Sequence, residues 1–247
     1  MATLRSKLGK MKVLGFLVML FVIQGNVFGH ALWIETSSQG KKGKAQPVRV
    51  YFGEYSENER DSTKNWFSDL EGFQLFVTAP DGTKTLVKTK AESNCFLTEF
   101  TPASKGVYVF SIDHVVADVY YESLIHYYAL ASVVVDNDAA TGASNLAKAT
   151  DLAIQVQLTK EFKVKQELGL DIFFQKGTKD VKLTVQPPVG WTKDFEVNEA
   201  GHASFVPFTD GRYMLESFVT EEKKDTHNGK EYKAIWNCVT YCVEVKK

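Results

Sequence analysis

Short runs of β-branched and aromatic residues dominate the pattern of apolar positions along this chain. Six such runs stand out: Val48–Phe52, Phe73–Val77, Val107–Phe110, Leu130–Val135, Tyr213–Thr220 and Tyr232–Val245. Runs of this length and composition predict β-strands, and no segment repeats its apolar residues at the spacing of a helix. The pattern therefore predicts an all-β protein.

Turn sequences separate these runs. Pro80-Asp81-Gly82 and Pro187-Pro188-Val189-Gly190 each follow a predicted strand. Asn228-Gly229 lies between the last two runs, and this pair tolerates the positive φ angles that a type I′ turn needs. We expect a β-hairpin there.

Two sequence signatures occur twice, in the same order. Leu75-x-Val77-x-x-Pro80-x-Gly82 recurs from Leu183 to Gly190, and Phe100-x-Pro102-x-x-x-Gly106-x-Tyr108 recurs from Phe205 to Tyr213. Each copy describes a strand, a turn and a later strand that begins at a glycine and carries an inward tyrosine, as Greek-key sandwiches do. The repeat predicts two tandem immunoglobulin-like β-sandwiches.

The repeat also suggests domain boundaries. The segment between the copies is rich in Ala, Asn, Asp and Gly and has no aromatic residue, which is typical of a linker. We expect an N-terminal sandwich over residues 30–136, a linker over 137–150 and a C-terminal sandwich over 151–247.

Residues 1–29 have the composition of an export signal. Four basic residues precede the apolar run Val13–Ile23, and the small residues Val27 and Gly29 precede the expected cleavage point. The run is shorter than the roughly 20 residues that span a bilayer. We expect cleavage after Gly29, which makes His30 the first residue of the mature protein. We also expect the mature protein to be periplasmic and to have no membrane span. Translation that starts at Met11 would give a shorter signal with the same apolar run and cleavage point.

Cleavage changes the charge of the chain. The full sequence has 29 basic and 30 acidic residues, and loss of the four basic residues in 1–29 leaves a net charge of −5. A surface of this sign repels phosphate backbones, so a nucleic-acid partner is not expected.

The three cysteines are few for an exported chain of this size. On one straight strand, Cys238 and Cys242 would lie about 13 Å apart, beyond the roughly 7 Å that a disulfide allows. Cys95 pairing with one of them and three buried, unpaired thiols remain as alternatives.

A long acidic segment, Gly53–Gly72, precedes the first repeat signature. It contains eight charged residues, with Trp66 and Phe67 embedded among them. A loop of this length is either functional or simply solvated, and its aromatic residues need a surface to pack on.

His30 is the main candidate for chemistry, because cleavage would give it a free α-amine. This amine and the imidazole Nδ1 atom can chelate a transition metal ion, and copper(II) and nickel(II) suit such a nitrogen pair. His114, His126 and Glu35 are further candidate metal ligands in the same predicted domain. The sequence lacks the motifs of hydrolases and of phosphate-binding loops, so no enzymatic activity is expected.

The segment His30-Ala31-Leu32-Trp33-Ile34-Glu35 after a signal peptide, followed by an acidic loop, Pro80-Asp81-Gly82 and Gly106-Val107-Tyr108, resembles a bacterial periplasmic family. This is the NikK-like family of nickel and cobalt uptake accessory proteins, a domain-of-unknown-function family. Phe205–Tyr213 looks like its carboxypeptidase-regulatory-like or prealbumin-like module. Ala31 departs from the family, in which an acidic residue is common at this place.

The resemblance implies a periplasmic protein that binds nickel, cobalt or copper and presents the ion to a membrane transporter. Two other functions stay open. The sandwiches can serve as a non-enzymatic binding or structural module of the cell envelope, with the acidic loop and the sheet edges as contact surfaces. A copper-dependent oxygenase would also use an N-terminal histidine, but it needs a second imidazole opposite the first.

Overall fold

The computed structural model describes residues 30–159, 161–174 and 181–247. Within these ranges the chain consists of β-strands joined by turns and short 3-10 helices, which confirms the prediction of an all-β sandwich protein. The expected signal peptide, residues 1–29, lies outside the described residues. None of the helices in the described ranges has the length and apolar character that crossing a membrane requires.

The described strands are β1 (Ala31–Glu35), β2 (Gln39–Gly40), β3 (Gln46–Gly53), β4 (Leu75–Thr78), β5 (Lys84–Val87), β6 (Lys90–Ala91), β7 (Phe96–Phe100), β8 (Gly106–Tyr120), β9 (Ser123–Val135), β10 (Leu152–Val156), β11 (Phe162–Lys163), β12 (Leu168–Phe174), β13 (Lys182–Gln186), β14 (Lys193–Glu196), β15 (His202–Phe205), β16 (Gly211–His227) and β17 (Lys230–Lys246). The 3-10 helices span Thr63–Asn65, Leu70–Gly72 and Ala143–Lys148.

The described strands form two outer sheets and one central sheet. The N-terminal outer sheet has the order β1-β3-β7-β6, and the C-terminal outer sheet has the order β10-β12-β15. The central sheet runs β14-β13-β16-β17-β9-β8-β4-β5, with β11 pairing with β17 and β2 with β9. One continuous sheet therefore extends through both halves of the chain.

The two outer sheets cover opposite faces of the central sheet. Successive side chains of a strand point to opposite sides, and on β8 Tyr108 and Phe110 belong to the core under the N-terminal outer sheet. Val107 and Val109 belong to the core that contains the C-terminal outer sheet. The central sheet is thus buried on both faces along this strand.

The sequence repeat corresponds to a structural repeat. Gly106 has a φ of +115°, and a side chain there would meet Pro80 at 2.8 Å; Gly211 has a φ of +127° and would meet Pro188 at 2.8 Å. Only glycine is readily accommodated in such a place. The two tyrosines match as well, because each hydroxyl bonds to the residue four positions earlier in the chain, Tyr108 to Ser104 and Tyr213 to Thr209.

The two copies meet at β9 and β17, which pair in parallel from Ser123 with Ala234 to Leu130 with Tyr241. β9 and β17 are equivalent strands of the two copies. They can pair in parallel only if the copies are related by a half-turn rotation about an axis parallel to the strands. This explains why Tyr108 and its counterpart Tyr213 point into cores on opposite faces.

The expected linker packs against the core. Leu146, in the helix Ala143–Lys148, has no exposed surface and joins the C-terminal core. The boundaries at residues 136 and 151 remain predictions, and the continuous central sheet makes the two halves parts of one β-structure.

Two local expectations correspond to observed features. β16 and β17 form a long hairpin, with Asn228 at a φ of +48° and Gly229 at +79° in its turn. Cys95, Cys238 and Cys242 are all unpaired, as in the second of the two cysteine alternatives, but only Cys95 is buried and the other two are partly buried.

Candidate functional site: an acidic cleft

A cleft of about 990 Å³ lies beside the edge of the N-terminal outer sheet, on the face of the central sheet that this outer sheet covers only in part. Residues of β16 and β17 line it with side chains that point away from the C-terminal core: Glu216 and Phe218 on β16, and Trp236 and Cys238 on β17. The acidic segment Gly53–Gly72 lines another side. We call this feature the acidic cleft; its volume is in the range of small-molecule sites.

Carboxylates outnumber cationic groups in the acidic cleft. Its described lining includes one lysine, Lys182, and one histidine, His30, against five carboxylate side chains: Glu54, Glu57, Asp61, Asp194 and Glu216. Because low-dielectric walls strengthen the field of such a group, the cleft attracts cations and repels anions.

Aromatic side chains form much of the remaining lining. They come from the N-terminal outer sheet, the acidic segment and the central sheet: Phe52, Phe67, Tyr120, Tyr127, Phe218 and Trp236. The acidic segment is held in place by Trp66, which is 7% exposed and packs against Phe52 and Phe96. The segment therefore packs against the N-terminal core and forms one wall of the acidic cleft.

Glu216 and Gln186 form a hydrogen-bonded polar pair in the cleft lining. Gln186 is 6% exposed, and its Nε2 atom donates to Glu216 Oε2 at 2.9 Å. Burial, with the nearby Glu54 carboxylate adding to it, raises the pKa of Glu216 to about 7. Burial also raises the pKa of the Cys238 thiol well above its usual value, and Glu216 adds to this effect. Glu216 can therefore gain or lose a proton close to neutral pH.

His30 lies at the exposed rim of the acidic cleft. Its side chain is 49% exposed, and its Nε2 atom lies 3.4 Å from Asp61 Oδ2 in the acidic segment. Its ring also contacts Phe52. Asp61 thus orients the imidazole through the nitrogen that an amine–imidazole chelate does not use.

Glu35 lies in a different environment from His30. The carboxylate accepts hydrogen bonds from Trp33 Nε1 at 2.9 Å and from Arg60 Nη2 at 3.1 Å, and it forms an ion pair with Arg212. Since Arg212 belongs to β16, Glu35 joins the N-terminal outer sheet to the C-terminal half of the central sheet. These contacts give it a structural role.

His114 and His126 lie on opposite faces of the central sheet. In the β8–β9 register, Val115 is opposite His126 and His114 is opposite Tyr127, so the two imidazoles point to different sides. His114 pairs with Asp69 at 3.1 Å, and His126 pairs with Asp113 at 2.5 Å. One metal ion cannot contact both rings.

The four candidate ligands do not converge. Within the part of the chain that the structure describes, no group of three or more His, Cys, Asp or Glu side chains has the arrangement of a metal site. His30 alone of the four lines the acidic cleft. Sequence reasoning did not select Glu216, although a carboxylate in the apolar run Tyr213–Thr220 was a signal that could have identified it.

Comparisons with known proteins add no family to this picture. No protein-family model matches the chain, and no curated protein is significantly similar to it.

Proposed function

We propose that this chain is an exported, non-enzymatic binding protein that takes up a transition metal ion, nickel, cobalt or copper, at His30. Export with cleavage after Gly29 gives His30 a free α-amine. The amine and Nδ1 then form a chelate, and a membrane transporter is the proposed recipient of the ion.

The contact between His30 and Asp61 is the observation that best supports this proposal. Asp61 lies 3.4 Å from Nε2 and so leaves Nδ1 as the ring nitrogen for the chelate. A carboxylate on the second ring nitrogen fixes the orientation of a metal-binding imidazole and raises its basicity. The other cleft carboxylates raise the local concentration of cations.

The test is titration calorimetry with nickel, cobalt and copper(II) on protein purified after export, with its first residue established by N-terminal sequencing. We expect a single site per chain that is lost in His30→Ala and weakened about 10- to 100-fold in Asp61→Asn.

The matched control is the same protein acetylated at its α-amine, which keeps the imidazole and removes the second nitrogen donor. Equal metal affinity of the acetylated and free forms, or a mature chain that begins at another residue, would refute the proposal.

A further inference from the structure

The two copies of the repeat differ in the residues that they expose at their turns. In the C-terminal copy, four exposed apolar side chains lie in the turn after β13 and in the loop between β15 and β16: Val189, Trp191, Val206 and Phe208. Trp191 is 92% exposed and Phe208 is 79% exposed, although aromatic side chains of this size are mostly buried in folded proteins. We call these four residues the apolar tip.

The N-terminal copy shows that the turns themselves do not require apolar residues. The two sequence signatures place exposed polar or small residues at the four equivalent positions: Asp81, Thr83, Thr101 and Ala103. Both copies nevertheless keep the same contact between a glycine and a proline, Gly106 with Pro80 and Gly211 with Pro188. The apolar tip is therefore not a requirement of the fold, and its residues are available for a contact outside the chain.

The two loops of the apolar tip are neighbours. Gly211, at the end of the second loop, lies so close to Pro188 that a side chain there would meet it at 2.8 Å, and Val189 follows Pro188. The four side chains are thus grouped at one end of the C-terminal half. Single exposed apolar residues are ordinary, whereas a group of them marks a contact surface.

Lysines lie beside both loops. The backbone N–H of Lys165 donates to Pro207 O at 2.7 Å, which places this exposed lysine next to Phe208. Lys193 lies two positions after Trp191, and its ammonium group lies over the Phe195 ring. Successive side chains of a strand point to opposite sides, so Asp194 faces away from Lys193 and lines the acidic cleft.

Three more lysines lie at the same end of the sheet, on β11 and after the last turn of β17: Lys163, Lys246 and Lys247. They share two carboxylates, since Glu161 pairs with Lys163 and Lys246, and Asp210 pairs with Lys247. Over residues 161–167, 187–193, 206–211 and 246–247 the chain has five lysines and three carboxylate side chains, a net charge of +2. The apolar tip is therefore surrounded by positive charge in a chain that is acidic as a whole.

An anionic membrane surface matches this combination of side chains. Trp and Phe are favourable at the boundary between lipid headgroups and hydrocarbon, valine can enter the hydrocarbon, and lysine reaches the phosphate groups. A second copy of the chain matches less well. A stable protein interface takes roughly 20–30 residues from each partner, and a two-fold dimer through the tip would bring two positive surfaces together.

We propose that the apolar tip inserts into the surface of a membrane that contains anionic phospholipid. Trp191 and Phe208 lie at the boundary of the hydrocarbon, and the surrounding lysines contact the phosphate groups. The contact attaches the protein to the surface reversibly and without a membrane-spanning segment. It does not depend on metal binding by His30.

Sedimentation of the exported protein with lipid vesicles tests this proposal. Vesicles of phosphatidylglycerol and phosphatidylethanolamine are compared with vesicles of phosphatidylcholine at about 0.1 M salt. We expect binding to the anionic vesicles to be at least tenfold tighter, and to weaken at about 0.5 M salt because the added ions screen the lysines.

The decisive variant gives the apolar tip small or polar residues, as in the N-terminal copy, without changing the charge: Val189→Thr, Trp191→Thr, Val206→Thr and Phe208→Ala combined. All four positions are exposed, so the variant should fold, and it should bind the anionic vesicles at least tenfold more weakly. Tyr121→Asn is the matched control. Tyr121 is 76% exposed in the β8–β9 turn, at the opposite end of the central sheet, and its loss should leave binding unchanged.

Tryptophan fluorescence gives a second measurement. Of the four tryptophans, Trp33 and Trp66 are buried, Trp236 is partly buried and Trp191 is exposed. Lipids that carry bromine on their acyl chains should therefore quench the fluorescence of the unaltered protein. They should not quench that of Trp191→Phe, which keeps an aromatic side chain and should still sediment with the vesicles.

Four results would overturn the proposal: no sedimentation with vesicles, equal affinity for anionic vesicles and phosphatidylcholine, unchanged affinity in the four-residue variant, or no quenching by brominated lipid. The proposal also fails if the unaltered protein dimerises in solution and the four-residue variant does not, because the apolar tip would then be an interface between two copies of the chain.

Discussion

Replacement of Glu216 by Gln should stabilise the protein, and the gain should depend on pH. The carboxyl is held among apolar side chains and other carboxylates, which raises its pKa from an ordinary 4.5 to about 7. The folded protein is therefore destabilised whenever Glu216 is ionised. The glutamine side chain of the variant would keep an oxygen for the bond from Gln186 Nε2 and cannot ionise.

The size of the effect follows from the pKa difference between the unfolded and folded states. The change from 4.5 to about 7 corresponds to about 3 kcal/mol, at about 1.36 kcal/mol for each pKa unit. Because the folded state holds this proton more tightly, the cost is nearly absent at pH 4. It grows to about 1 kcal/mol at pH 5 and is almost complete at pH 8, at about 3 kcal/mol.

Urea unfolding followed by tryptophan fluorescence at pH 5 and pH 8 measures this difference. Glu216→Gln should exceed the unaltered protein in free energy of unfolding by about 2 kcal/mol more at pH 8 than at pH 5. Glu99→Gln, at an exposed position, serves as the control and should show no such dependence. A variant that is equally or less stable at pH 8 would refute the claim that Glu216 is held ionised against its environment.

Three further substitutions test the architecture. Gly211→Ala should lower the free energy of unfolding by about 2–3 kcal/mol, because φ at this position is +127° and the new methyl group would meet Pro188 at 2.8 Å. Gly43→Ala is the control, since Gly43 also has a positive φ, +73°, but has open space around it; it should lower the free energy of unfolding by about 1 kcal/mol in the same urea titration. Tyr213→Phe removes the hydroxyl bonds to the preceding loop and should cost about 1–2 kcal/mol by thermal unfolding, and an unchanged midpoint would contradict this role. Glu35→Gln leaves the guanidinium groups of Arg60 and Arg212 without their carboxylate and should lower the free energy of unfolding by about 2–3 kcal/mol. This is less than for a fully buried pair, because both arginines keep some exposure. A loss below about 0.5 kcal/mol in urea unfolding would show that Glu35 does not stabilise the contact between the two halves.

The position of the candidate site shows where sequence reasoning stops. His30 was identified because cleavage would expose its amine, and its partner Asp61 lies 31 positions away in a loop with no regular pattern. The opposite orientation of His114 and His126 depends on the β8–β9 register, including the irregularity between Val115 and Val119. Register over a long hairpin with such a shift is not readable from apolar alternation alone.

The sequence by itself determined the approximate positions of six strands, β3, β4, β8, β9, β16 and β17, together with the Asn228-Gly229 turn and the repeated glycine–tyrosine signature. These features depend on local runs of apolar residues and on the φ angles that individual residues tolerate. Only the tertiary structure decided that β9 and β17 pair in parallel. That pairing turns one copy over, places the outer sheets on opposite faces and leaves Glu216 in a cleft beside the other half. Which strands pair depends on the packing and hydrogen bonding of the whole chain, because many alternative pairings between distant segments are possible. The local pattern of apolar residues does not show which of these pairings is the most stable.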